Sequence, residues 1–177
     1  MTGWRSNQLN YLAMKFGGNI NLTTELVGDV IAEALKHIHK KSEMQKITVI
    51  QQDELLLAKM DARLIVQVLI NLLDNAIKYT PSDSQITITA KKDGNMVSVS
   101  VSDNGNGIAD EQKSRVFDMF YTGTNKIADS RRSIGLGLSL CKSIINAHGG
   151  EITITDNNPH GAVFTFTLPI GEVEIHE

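Results

Sequence analysis

Two hydrophobic periods run along the 177-residue chain. Spacing of three to four residues marks helices, and strict alternation marks half-buried strands. Trp4, Leu9, Leu12, Ala13 and Phe16 sit near helical spacing and predict a helical tail over 4–16, stopped by Gly17-Gly18. Ile20-Asn21-Leu22 predicts a short strand. Thr23 or Thr24 then suits the cap of a helix over 25–39, whose stripe is Leu26, Val27, Val30, Ile31, Ala34, Leu35 and Ile38. Strands are predicted over 47–51 and 55–60. Asp61 is placed to cap a helix over 62–79 that Thr80-Pro81 closes. Ile86, Ile88 and Ala90 alternate with Thr87 and Thr89, and Val97, Val99 and Val101 alternate with serines. Asp93-Gly94-Asn95 joins these two strands as a hairpin. A glycine-rich loop over 103–107, a helix over 110–117 and a weakly periodic polar stretch over 122–133 follow. Gly135 opens a helix that ends at His148-Gly149-Gly150, and a last hairpin pairs 152–155 with 162–168. Adjacent strands that mostly form hairpins, mixed with helices, predict an α/β fold: a two-layer α/β sandwich with a mixed, mostly antiparallel sheet and helices on one face.

Composition narrows the class. Seventeen Lys and Arg against twenty Asp and Glu give a net charge of −3, which disfavours a nucleic-acid binder. A single cysteine, Cys141, excludes an internal disulfide and a cysteine-built zinc site. No apolar run approaches the roughly 18–20 residues that span a bilayer. Met1-Thr2-Gly3-Trp4 does not begin a secretory signal. The expectation is a cytoplasmic domain cut from something longer, without membrane contact of its own.

The helix over 62–79 is the most informative segment. With Asn71 at zero on a wheel of roughly 100° per residue, Asn75 falls near about 40°, Lys78 near about 340° and Gln67 near about 320°. A narrow polar ridge thus runs along an otherwise apolar helix. A solvated face is the plain explanation, but such faces favour Glu and Lys over two asparagines, which are poor helix formers. Buried polar atoms need partners, and a phosphate with a metal ion would supply them. An amide oxygen suits Mg²⁺ and an ammonium suits a phosphate oxygen. Asp103-Asn104-Gly105-Asn106-Gly107 could be a plain turn or a calcium loop. It could also be a base reader whose Asp103 accepts from the exocyclic amine of adenine while Gly105 and Gly107 admit the ring. Gly135-Leu136-Gly137-Leu138 at a helix start offers unpaired N–H groups to a phosphate. No P-loop and no dinucleotide fingerprint is present. Between the glycine motifs, Lys126, Arg131 and Arg132 against the single acid Asp129 suggest a basic lid over an anion, or an ordinary solvated loop.

Order and spacing carry a resemblance. Asn71-Leu72-Leu73-Asp74-Asn75-Ala76-Ile77-Lys78-Tyr79 resembles the N box of sensor histidine kinases, and Asp103-x-Gly105-x-Gly107 resembles their first glycine box. Phe117-Asp118-Met119-Phe120-Tyr121 resembles the F box, and Gly135-Leu136-Gly137-Leu138 the second glycine box. The resemblance covers roughly residues 20–170. It implies the Bergerat ATP-binding fold, with Asn75 on Mg²⁺, Asn71 and Lys78 on the phosphates of ATP, Tyr79 against adenine and Asp103 on its amine. The second glycine box would cradle phosphates, and Lys126, Arg131 and Arg132 would lie in the lid. Related hydrolytic ATPases hold a glutamate where Asn71 stands, and asparagine cannot take the proton of an attacking water. Phosphoryl transfer to a protein histidine is therefore expected over hydrolysis. A gyrase-like switch ATPase and a non-catalytic nucleotide sensor are the alternatives.

Two departures qualify the match. Ser133 stands where the family usually has a glycine. The phosphoacceptor motif is missing: His37, His39, His148, His160 and His176 all lack its context, and His37 and His39 read as cations near a helix end. The expected organisation is therefore residues 1–17 as the tail of a dimerisation helix with a non-native start, and 18–177 as the catalytic domain. Its partners would be the dimerisation and phosphoacceptor helices of the same, membrane-anchored kinase and a response regulator. Phe120-Tyr121-Thr122-Gly123-Thr124-Asn125-Lys126 and the stretch from Leu140 to Gly150 look most like the Kdp-type potassium-responsive kinases.

Overall fold

The computed structural model describes residues 20–38, 45–118 and 136–172. Strand β1 (Thr23–Leu26) leads directly into helix α1 (Val27–Ile38), followed by β2 (Lys46–Gln51) and β3 (Leu57–Met60). Helix α2 (Ala62–Tyr79) precedes the hairpin β4 (Gln85–Asp93) and β5 (Met96–Asp103). The short helix α3 (Asp110–Lys113), helix α4 (Leu136–Ala147) and the hairpin β6 (Ile152–Asp156) and β7 (Ala162–Pro169) complete it.

Five strands form one sheet in the order β2-β4-β5-β7-β6, and β1 pairs with β3 in a second, two-stranded sheet. All contacts in the large sheet are antiparallel except β2 with β4. Alternation sets the two faces. Ile86, Ile88, Ala90, Val97, Val99, Val101, Phe164, Phe166 and Leu168 point into one core. Across the other face the register aligns Thr89, Ser100, Thr165 and Thr153 in a row of hydroxyls. Helices α1, α2 and α4 cover the apolar face, with α2 in the middle contributing Leu64, Ile65, Val68, Leu69, Leu72, Leu73 and Ala76. The molecule is thus a mixed α/β sandwich with a mostly antiparallel sheet and its helices on one face.

Several elements differ from expectation. The first strand is 23–26 and not 20–22, because Thr23-Thr24-Glu25-Leu26 pairs with Met60 back to Leu57. Neither Thr23 nor Thr24 caps α1. The chain enters it straight from the strand, and the Val27 N–H donates to the Leu56 carbonyl at 3.0 Å. Asp61 sits at the N-cap of α2 but makes no side-chain cap bond. Its carboxylate accepts instead from the Asn21 N–H at 3.2 Å and from Arg63 at 3.1 Å. Burial pushes this carboxyl up, but the bonds from Arg63 and Asn21 and the Arg63 charge outweigh it and hold the pKa below its ordinary value. Helix α3 stops at Lys113 and continues as turns to Asp118, so the predicted helix over 110–117 is only its first turn. Phe117 packs edge-on against Phe164 at 6.3 Å and is a core residue. His37 lies in the last turn of α1, 3.4 Å from Glu33. The helical tail over 4–16 and His39 lie outside the described residues.

Candidate functional site

Helix α2 carries the polar ridge at its rim. Asn71 is half-buried: its Nδ2 donates to the Gly137 carbonyl at 3.3 Å and its Oδ1 accepts from Gln67 Nε2 at 2.8 Å. The ridge therefore meets the first turn of α4. One turn on, Asn75 is half-buried and makes no side-chain hydrogen bond among the described residues. Lys78 Nζ lies 3.0 Å from Asp74 Oδ2, one turn back on the same helix. Tyr79 is 45% exposed, and Thr80 closes the helix by donating to the Ala76 carbonyl at 2.7 Å.

The loop after β5 reaches the same end of α2. A side chain at Gly105 would stand 2.8 Å from Thr80 Cγ2 and 3.2 Å from Asp103 Oδ1, so the loop backbone lies directly on the helix end. Asp103 itself is buried. Its Oδ1 accepts from the Gly105 N–H at 2.9 Å and from the Ala162 N–H at 3.3 Å. Its Oδ2 accepts nothing among the described residues. The β6–β7 turn holds this loop in place: Asn157 Nδ2 donates to the Asp103 carbonyl at 2.7 Å, and His160 Nδ1 donates to the Gly105 carbonyl at 2.9 Å. Gly161 closes the turn at φ 117°, where any side chain would collide with the Asp103 carbonyl. Gly107 also has positive φ, at 77°.

Three sequence motifs thus converge: the ridge of α2, the loop at 103–107 and the start of α4 with Gly137 and Leu138. Leu136 opens that helix. Lys126, Arg131, Arg132 and Gly135 lie outside the described residues, as do Met119, Phe120 and Tyr121. Thr80 closes α2 as expected and also backs the loop, while Asn157 and His160, which hold the loop from the β6–β7 turn, have no role predicted from the sequence. Asn157 and His160 fall in a Pro-Gly-containing turn, whose only signal was turn chemistry. Beneath the ridge lies Cys141, fully buried, its Sγ 3.8 Å from the Val68 carbonyl. Burial pushes its thiol up to about 12, against a smaller opposing pull from a hydrogen bond with Asn71.

The arrangement is a polar rim on an apolar two-layer core. Among the described residues it holds an ammonium paired with Asp74, a carboxamide at Asn75 with no side-chain hydrogen bond, a carboxylate with an open oxygen at Asp103 and the start of α4. The profile described as histidine kinase-, DNA gyrase B- and HSP90-like ATPase matches residues 60–172. The chain belongs to this family.

Within this ATPase family the chain is a catalytic domain of the histidine-kinase type. It superposes on the catalytic domain of histidine kinase ThkA with a TM-score of 0.71 at 33% identity, covering 84% of this chain and 95% of that one. It is 41% identical over 150 residues to the sensor protein KdpD of Clostridium acetobutylicum, covering 85% of this chain and 17% of the relative. It is 46% identical over 112 residues to the adaptive-response sensory kinase SasA of Nostoc sp., covering 62% of this chain and 27% of the relative. The chain therefore spans only a small part of the sensor proteins it matches. No described helix is long and apolar enough to cross a membrane.

Proposed function

We propose that this domain binds Mg-ATP and presents its γ-phosphate to a histidine on a dimerisation helix that is not among these 177 residues. The observation that carries the reading is the contact of Asn71 with Gly137, which joins the amide ridge to the start of α4. The residues fit the ligand. Among the described residues Asp103 keeps one carboxylate oxygen open, suited to the exocyclic amine of adenine, and the lack of a side chain at Gly105 lets the loop lie against Thr80 at the end of α2. Tyr79, exposed at the end of α2, would supply a ring face for the base. Asn75, Asn71, Lys78 and the turn at Leu136-Gly137-Leu138 lie where phosphates would follow. Asn75 would offer its amide oxygen to Mg²⁺, a cation that prefers oxygen ligands and retains several from phosphate and water. When bound, the ion supplies charge neutralisation on the phosphates. The lid residues Lys126, Arg131 and Arg132 and the glycine Gly135 belong to the same proposed site.

Asparagine at position 71 supports transfer over hydrolysis, since an amide cannot act as general base. The gyrase-like ATPase reading is disfavoured on the same ground. Residues 1–17 are proposed as the tail of the dimerisation helix and 18–177 as the catalytic domain of a cytoplasmic kinase portion. A response regulator is the proposed downstream partner, supported by the structure of ThkA in complex with its response regulator TrrA, at 30% identity to this chain. The likeness to KdpD supports a place in potassium or osmotic signalling. The test combines the chain with a dimerisation-helix fragment bearing the acceptor histidine and labelled ATP. Label on the histidine is expected. ATP binding without label transfer overturns the transferase reading, and steady phosphate release favours the hydrolytic one.

A further inference from the structure

His148 sits at the far end of α4 from the proposed phosphate site, yet it is built into the scaffold with unusual care. Only 2% of its surface is exposed. Its Nδ1 donates to the Ile144 carbonyl at 2.7 Å, and its Nε2 accepts from the Asp61 backbone N–H at 3.0 Å. Both bonds require the neutral ring with its proton on Nδ1. The backbone fixes the residue as well. The Gly150 N–H donates to the Ile145 carbonyl and the Gly149 N–H to the Asn146 carbonyl, each at 3.1 Å. That pair of bonds, with Gly149 at φ 79°, is a Schellman motif with His148 as C-cap. Asp61 in turn is the N-cap of α2 and is anchored by Asn21 and Arg63.

Helices α2 and α4 are therefore tied across at two levels. Asn71 bonds Gly137 at one level, and His148 bonds Asp61 at the other. Asp61 and Asn71 are ten residues apart, and Gly137 and His148 eleven, or about 15 and about 16.5 Å of helix at about 1.5 Å per residue. The two pins sit at opposite ends of α4, so this helix behaves as a strut held at both ends, with Cys141 and Ile144 fully buried between the pins. A one-residue slip of α4 would shift its first turn by about 1.5 Å, enough to misplace N–H groups aimed at a phosphate.

We propose that His148 is a positioning residue for the phosphate end of the nucleotide site: its bond to the Asp61 N–H sets the register of α4 and so the placement of the Leu136-Gly137-Leu138 turn. This rests on the nucleotide reading given above. The base end of the site hangs on β5 and the β6–β7 turn and does not depend on that register. The inference therefore predicts a selective effect.

The test compares Mg-ATP and adenosine binding by calorimetry in the 177-residue chain and two variants. His148→Asn keeps a donor for the Ile144 carbonyl but falls short of the Asp61 N–H. His148→Gln carries an amide oxygen that reaches it. His148→Asn is expected to weaken ATP by about tenfold while leaving adenosine within about twofold, and His148→Gln to restore most of the loss. Equal losses for both ligands, or none for ATP, overturn the proposal, since a general loss of stability would not single out the phosphates. If His148→Asn does not fold, amide exchange in the unaltered chain decides by reciprocity. ATP should slow exchange of the Asp61 N–H and adenosine should not; equal slowing, or none, overturns it. An unaltered chain that binds adenosine but shows no gain for Mg-ATP overturns both this inference and the nucleotide reading, whereas ATP binding with unselective losses overturns this inference alone.

Discussion

At the scale of single residues, the site turns on how each polar group is already occupied. Asp103 spends one oxygen on the Gly105 and Ala162 N–H groups and, among the described residues, keeps the other open. Asp103→Ala should weaken ATP by about tenfold to a hundredfold, as for a lost charged hydrogen bond, and erode the preference over GTP. Calorimetry with both nucleotides reads this, and unchanged selectivity places base reading elsewhere. Lys78→Met should cost ATP affinity and spare adenosine, because only ATP carries phosphates. Cys141 gives a third expectation. Buried and held up to about 12, its thiol should resist a thiol reagent at about pH 8 in the native chain and react once urea unfolds it. The asparagine ridge and Asp103 were legible because their residue types contradict the plain reading of a solvated helix or turn. The partners of Asp61 and His148 were not legible: 87 positions separate them, and no local pattern announces a bond of that range. Asp61 carried a correct signal for position and a wrong one for its side chain, because the Asn21 N–H and the Arg63 guanidinium outcompete the helix amides.

Elements were legible where periodicity and burial agree. Helix α2 and strands β4, β5 and β7 follow their stripes almost to the residue. Strand β1 lies three residues beyond the expected one because Thr23-Thr24-Glu25-Leu26 has no alternating apolar face; it exists through its pairing with β3, a strand the sequence does predict, and no local pattern announces that pairing. The stop at His148-Gly149-Gly150 was legible from glycine alone, and its geometry gives a prediction. Gly149 holds φ 79° with open space around it, so Gly149→Ala meets no collision and feels only the left-handed backbone cost. A loss of about 1–2 kcal/mol is expected from urea unfolding. Gly161→Ala should cost more, because its new methyl also strikes the Asp103 carbonyl. A smaller effect at 161 than at 149 would contradict the packing of that turn.

At the scale of the whole molecule, the layered architecture followed from strand and helix order, whereas the parallel pairing of β2 with β4 did not, since the two are separated by β3 and α2 and share no turn. Stability against pH is a property at this scale. Burial holds the pKa of His148 below its ordinary 6.5, outweighing the Ile144 carbonyl and the Asp61 charge that pull the other way. Above about 6.5 neither state carries the proton and the contribution is complete. Below it the unfolded chain takes up a proton that the folded chain refuses, so stability falls until the folded pKa is reached. Asp61, held low, keeps its own contribution through this window. The urea midpoint should therefore be lower at about pH 5.5 than at about pH 7.5, and His148→Gln should shrink the difference. The sheet order carries one more consequence. The last strand among the described residues, β7, is inserted between β5 and β6, and Ile170 then bridges to Ala58 of the small sheet. On the ribosome, a nascent chain ending before Ala162 has a gap where β7 belongs and exposes the flank of β5, so this unit folds only when almost all of it has left the exit tunnel.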